Sequence, residues 1–150
     1  MADKMSLQGD FFSQEHVKLT NARRKSLKRI LVVDDEEQIR SMLSQMLTHE
    51  GYEVHVAENG EEGMRLVGRY AFDLIITDMI MPVKDGLKFI MELVRDYPDM
   101  KILAISGGGA IKAERYLTMA GYLGDIATLE KPFKREAILA LVEQQLGIAS

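Results

Sequence analysis

The stretch Ile30-Leu31-Val32-Val33-Asp34-Asp35 decides the fold, because four aliphatic residues run without interruption into two carboxylates. A short run of this kind, with no polar residue interleaved, reads as a strand buried on both faces, the mark of a parallel sheet covered by helices. The arrangement recurs twice. Leu74-Ile75-Ile76-Thr77 ends in Asp78, and Ile126-Ala127-Thr128-Leu129-Glu130 ends in Lys131. Polar groups placed just past several such strands gather at one edge of a parallel sheet, where open α/β sheets bind ligands. Three carboxylates and one ammonium converging there make poor core and good chemistry.

Between these runs the pattern switches to helical spacing. Ile39, Met42, Leu43, Met46 and Leu47 follow the stripe of an amphipathic helix, and Gly51 stands at its stop position. Glu53-Val54-His55-Val56 alternates in polarity, as a half-exposed edge strand does. Asn59 is placed to cap a helix through Met64, Leu66 and Val67. A further helix carries Leu87, Ile90, Leu93 and Val94 and stops before Pro98. Ile102-Leu103-Ala104-Ile105 reads as the fourth strand, leading into Ser106 and the glycines Gly107, Gly108 and Gly109. A helix around Ala113–Met119, the strand at Ile126–Leu129 and a last helix with Ile138, Leu141 and Val142 complete the series. Strand–helix alternation with short connections implies right-handed crossovers and helices on both faces. The alternating second strand belongs at an edge. The expected architecture is therefore α/β: a flavodoxin-like, doubly wound, five-stranded parallel sheet in the order 2-1-3-4-5, whose switch point lies between strands one and three. Asp34, Asp35 and Asp78 sit at those two strand ends.

The rest of the composition narrows the classes. At 150 residues the chain has the length of one domain, and with no cysteine it has neither disulfides nor thiolate chemistry. It has no apolar run near the roughly 18 residues that cross a bilayer and no signal-peptide core in its first 30 residues, so no membrane insertion and a cytoplasmic location are expected. Residues 1–28 carry six basic against three acidic side chains, leaving thirteen basic against twenty acidic in the remainder. A region that negative is a poor surface for nucleic acid, so no direct nucleic-acid binding is expected. Arg23-Arg24-Lys25 reads as a solvated lead-in to the first strand. Residues 1–28 form an N-terminal arm read as flexible, with Phe11, Phe12, Val17 and Leu19 allowing a docking or homodimerising helix. Residues 29–147 are expected to form the domain, with no output domain expected.

Clustered carboxylates repel one another unless a cation intervenes, and a hard divalent ion such as Mg²⁺ takes oxygen ligands while keeping room for a phosphate. A carboxylate beside such an ion can attack phosphorus to form an aspartyl phosphate. Asp78, on the strand beside the switch point and facing the Asp34-Asp35 pair, is the best nucleophile. Lys131, the Ser106 hydroxyl and the amides of Gly107 and Gly108 are placed to meet the phosphoryl oxygens. Bland roles exist for each. Asp34 and Asp35 suit a helix cap, the glycines a flexible loop, Lys131 a surface site and the ten methionines core gaps. His16, His49 and His55 have no ligand spacing, and Pro82 and Gly86 read as loop and turn residues.

In this order, Ile30-Leu31-Val32-Val33-Asp34-Asp35-Glu36, Asp78-Met79-Ile80-Met81-Pro82-Val83-Lys84-Asp85-Gly86, Ala104-Ile105-Ser106 and Lys131-Pro132-Phe133 resemble the receiver domains of bacterial response regulators. The resemblance spans residues 29–146. It implies that Asp78 takes a phosphoryl group from a histidine kinase or histidine phosphotransfer protein, and that the chain catalyses only its own phosphorylation and dephosphorylation. It also implies Mg²⁺ held by Asp34, Asp35, Asp78 and the backbone carbonyl of Ile80, Ser106 as the switch hydroxyl, Lys131 as the paired ammonium, and a cis Lys131-Pro132 bond. The signal would then pass to an output protein through altered binding. Thr128 departs from the family, which often has an aromatic residue three before the lysine, so the expected conformational change falls on Ser106 and the loop Gly107–Ala110. Two other classes compete: a phosphorylation-independent scaffold on the same fold, and a Mg²⁺-dependent aspartyl-phosphate hydrolase. The second would want an Asp two residues after Asp78, where Ile80 stands.

Overall fold

Five parallel strands form a single sheet in the order β2-β1-β3-β4-β5: β1 Arg29–Val33, β2 Glu53–Ala57, β3 Leu74–Asp78, β4 Lys101–Ser106 and β5 Ala127–Glu130. The computed structural model describes residues 23, 25, 27–79, 86–106 and 126–148. Among them, helices α1 (Glu37–His49), α2 (Gly60–Arg69), α3 (Gly86–Asp96) and α4 (Arg135–Leu146) connect or follow the strands. The expected strand order holds, with the alternating β2 at an edge. The expected helix around Ala113–Met119, the loop Gly107–Ala110, Ile80, Pro82 and the arm over residues 1–22 lie outside the described residues.

The central strands are apolar throughout because each face has its own core. Leu31, Val33, Ile75 and Ala104 point to one side, against Val67 of α2 and Phe89, Ile90 and Leu93 of α3. Ile30, Val32, Leu74, Ile76, Leu103 and Ile105 point to the other, against Leu43 and Leu47 of α1 and Ile138 and Val142 of α4. Full burial of an aliphatic side chain of this size contributes about 1.5–3 kcal/mol before entropy is set against it, and eight of the ten residues named on the second face are the large Ile and Leu type.

Local signals account for the helix ends. Asn59 accepts a hydrogen bond from the Glu62 amide at 2.8 Å, and the Glu62 carboxylate reaches back to the Glu58 amide at 3.1 Å. Gly51, at φ 102°, follows the end of α1 in a conformation that other residues rarely adopt.

Several expectations need correction. Met42 does not join the buried stripe of α1. It is 40% exposed, because only Leu43 and Leu47 of that helix are buried while Met42 sits about 100° around the helix from Leu43. Met91 is likewise exposed, so the methionines are not uniformly core. Gly86 is the buried first residue of α3 rather than a turn. Lys25 is no solvated lead-in. Its ammonium lies 3.3 Å from Glu50 and 3.7 Å from Glu143, and 5.7 Å from the centre of the Tyr52 ring.

Candidate functional site

Strand register brings the site together. Val33 lies opposite Thr77, Asp78 opposite Ile105 and Ser106 opposite Glu130, so β1, β3, β4 and β5 all end at one level. The residues at or just past those ends are Asp34, Asp78, Ser106 and Lys131. Asp34, Asp78 and Ser106 are buried, and the Lys131 side chain is 16% exposed. The Lys131 ammonium stands 3.3 Å from Asp34 Oδ2 and 3.3 Å from Asp78 Oδ2, bridging strand ends that are far apart in sequence. Its backbone N–H donates to the Ser106 carbonyl at 2.6 Å, and the Lys131-Pro132 peptide is cis, as expected.

The corner after β1 is held from three sides. The Asp34 amide donates to Ala57 at 3.1 Å, Asp34 Oδ1 accepts from the Glu36 amide at 2.9 Å, and the Arg40 guanidinium donates to the Asp34 carbonyl at 2.8 Å. The helix-capping alternative is therefore met only in part. Asp34, not Asp35, turns the chain into α1, whose N-cap Glu36 makes no side-chain cap. Asp35 and Glu36 are exposed, which leaves their carboxylates available to a ligand.

Charge in this cluster is unbalanced. Carboxylate oxygens of Asp34, Asp35, Glu36 and Asp78 all lie within 4.8 Å of one another, with one close ammonium among them. Burial, with the Asp78 charge adding to it, raises the Asp34 carboxyl from its ordinary value to about 6, against the opposing pull of the Glu36 amide and Lys131. Burial works against the Lys131 ammonium too, but Asp78 and Asp34 together outweigh it and hold its pKa above the usual lysine range. An all-oxygen, carboxylate-rich donor set with surplus negative charge fits a hard divalent cation such as Mg²⁺. Ser106 Oγ offers a further polar group to a ligand at this strand end. It is buried and has no hydrogen-bond partner among the described residues.

Of the residues expected to act, Asp34, Asp35, Asp78, Ser106 and Lys131 are brought together, whereas the Ile80 carbonyl and the amides of Gly107 and Gly108 lie outside the described residues. Thr128 lies in β5, exposed and paired with Ala104, two positions before the rung that links Ser106 to β5. Glu36 and Arg40 were not expected at the site. The third consecutive acid after β1, and a basic residue four positions later on the same helix face, were the available signals.

The chain belongs to the response regulator receiver domain family, whose sequence profile matches residues 30–143. Receiver domains of this family are signalling modules of two-component systems rather than turnover enzymes, and phosphorylation and Mg²⁺ binding are typical of them. The chain is 32% identical over 117 residues to the transcriptional regulatory protein GlrR of Escherichia coli, covering 78% of this chain and 26% of that protein. It is 34% identical over 122 residues to the DNA-binding transcriptional regulator NtrC of Azospirillum brasilense, covering 81% and 25%. The response regulator MprA of Mycobacterium leprae is 33% identical over 118 residues, covering 79% and 50%. The chain thus spans about a quarter to a half of these relatives. Because two of them are transcriptional regulators, the expectation that nucleic acid is not contacted gains no support. Among solved structures, the TrrA response regulator of Thermotoga maritima in complex with Mg²⁺–BeF superposes with a TM-score of 0.70 at 33% identity, covering 79% of this chain and 99% of that one. A CheY-like receiver from Methanospirillum hungatei gives a TM-score of 0.72 at 29% identity, covering 81% and 94%. Among the described residues no helix is long and apolar enough to cross a membrane.

Proposed function

We propose that Asp78 is the phosphoacceptor of this receiver, taking a phosphoryl group from the phosphohistidine of a kinase or phosphotransfer protein and thereby changing how residues 29–147 bind an output partner. The observation that carries the reading is the Lys131 ammonium 3.3 Å from both Asp34 and Asp78, with a buried Ser106 hydroxyl, without a partner among the described residues, at the neighbouring strand end. An Asp78 carboxylate oxygen supplies the electron pair for the new O–P bond. The P–N bond breaks, and its pair returns to the imidazole, which then takes up a proton. Lys131 and Ser106 meet the phosphoryl oxygens, one by charge and the other by a hydrogen bond. Asp34, Asp35, Asp78 and the Ile80 carbonyl are assigned to Mg²⁺, with the exposed Glu36 within reach. When bound, that ion neutralises charge on the phosphoryl oxygens and on the clustered carboxylates.

The test uses acetyl phosphate as donor and the intact mass as readout. With Mg²⁺, one phosphoryl group per chain is expected on the wild type, lost with chelator and lost in Asp78→Asn. Label on Asp78→Asn would overturn the assignment, an unlabelled wild type would favour the scaffold, and multiple-turnover hydrolysis of an ordinary phosphate monoester, which is no receiver phosphodonor, would favour the hydrolase.

A further inference from the structure

Gly86 and Thr77 touch the backbone of Asp78 from two sides, and neither has a part in the chemistry proposed above. Thr77 is buried, and its hydroxyl donates to the Asp78 carbonyl at 3.0 Å. Gly86 opens α3 directly against the same peptide. A Cβ there would collide with the Asp78 carbonyl oxygen and lie 2.6 Å from Met79 Cα and 2.8 Å from Met79 C. All three obstacles are main chain, which has no rotamer to give way. Gly86 has no left-handed φ, so space and not conformational freedom requires glycine here. On the far side of that peptide, the Met79 amide donates to the Ile105 carbonyl of β4 at 2.9 Å. The Asp78–Met79 peptide is thus tied to β4 through its N–H, bonded by Thr77 at its oxygen and abutted by the first residue of α3.

We infer that Gly86 and Thr77 are positioning residues for the phosphoacceptor, clamping the Asp78–Met79 peptide so that the Asp78 carboxylate stands at its distance from Lys131 and the Asp34 cluster. The inference rests on Asp78 being the acceptor. Both contacts act on the backbone immediately after the Cα that carries the carboxylate, so a displaced peptide moves that carboxylate relative to groups held by β1 and β5. A misplacement of about 1 Å between reacting groups can cost on the order of a hundredfold in rate.

Gly86→Ala, Thr77→Val, Thr77→Ser and the remote core variant Leu47→Ala, a control for lost stability, are compared with wild type at a temperature where thermal melting shows each to be folded. Labelling by acetyl phosphate is followed over a range of donor concentrations, and Mg²⁺ binding by calorimetry without donor. For Gly86→Ala the maximal labelling rate should fall at least about tenfold with an unchanged half-saturating donor concentration, and Mg²⁺ affinity should fall about threefold or more. Thr77→Val should show the same signature to a smaller degree, and Thr77→Ser, which keeps the hydroxyl, should recover most of the rate. Leu47→Ala should lose stability but neither rate nor Mg²⁺ affinity. Wild-type rate and Mg²⁺ affinity in folded Gly86→Ala and Thr77→Val overturn the positioning role while leaving Asp78 as acceptor. An unlabelled wild type overturns the acceptor assignment and the positioning role with it.

Discussion

Among the described residues two lysines stand between carboxylates at opposite ends of the sheet, Lys131 with Glu36 as a third, more distant partner at 3.9 Å. At the carboxyl ends of the strands, Lys131 stands 3.3 Å from Asp34 and 3.3 Å from Asp78. At the other end, Lys25 stands 3.3 Å from Glu50 and 3.7 Å from Glu143. The difference lies in the partners. Asp34 and Asp78 have side chains 2% and 6% exposed on short stems fixed to central strands, whereas Glu50 and Glu143 are 30% and 24% exposed on longer stems at helix ends. Short, buried carboxylates cannot swing apart to relieve repulsion, so the first trio stays charged against itself and fit for another cation. The second relaxes into an ordinary tie that fastens the residues before β1 to α1 and α4. The Tyr52 hydroxyl beneath it, buried and flanked by Glu143 and Glu50, has its pKa pushed up to about 12. The same kind of lysine–carboxylate pairing thus serves opposite uses, set apart by burial and by the further carboxylates of Asp35 and Glu36 at the first site.

Removing each lysine breaks or sharpens this contrast, and the largest effect belongs to the buried trio. Lys131→Gln leaves two buried carboxylates without their cation, and in metal-free urea unfolding it should cost about 3 kcal/mol or more, part of which added Mg²⁺ restores. A loss no greater than that of Lys25→Met would erase the distinction. Next comes pH. The folded Asp34 carboxyl titrates at about 6 against 3.8 in the unfolded chain, so between these values the native state binds more protons and stability falls as pH rises. Metal-free protein should therefore lose at most about 3 kcal/mol between pH 4 and pH 6.5 through this one group, and Asp34→Asn should flatten that slope in unfolding measured across the range. An unaltered slope in the variant removes Asp34 as its source. The smallest effect is Lys25→Met, expected to lower stability by about 1 kcal/mol, less at high salt, because both its partners are partly solvated. A change insensitive to salt would point to packing on Tyr52 instead of charge.

Much of this was legible in the residues alone. β1, β3 and β4 announced themselves as uninterrupted aliphatic runs because helices cover both of their faces, and β2 showed its edge position through Glu53 and His55. The strand-end polar residues were legible because a parallel sheet has only one place to put them. What stayed hidden depended on partners far along the chain. Nothing periodic links Lys25 to Glu50 and Glu143, so a docked lysine looked like a solvated one. Phe89, fully buried one turn before Leu93, fits the helical stripe, but its room beside Gly63, where an added Cβ would lie 3.0 Å from the ring, depends on a packing of α2 and α3 that no spacing shows. Gly86 reads as punctuation in the sequence, since glycine signals a turn as readily as a lack of space, and only the neighbouring peptide of Asp78 tells them apart.

The short bond from the Lys131 amide to the Ser106 carbonyl makes the ammonium-bearing and hydroxyl-bearing residues two arms of one lever. A shift of the Lys131 backbone therefore strains or breaks this bond unless the end of β4 follows.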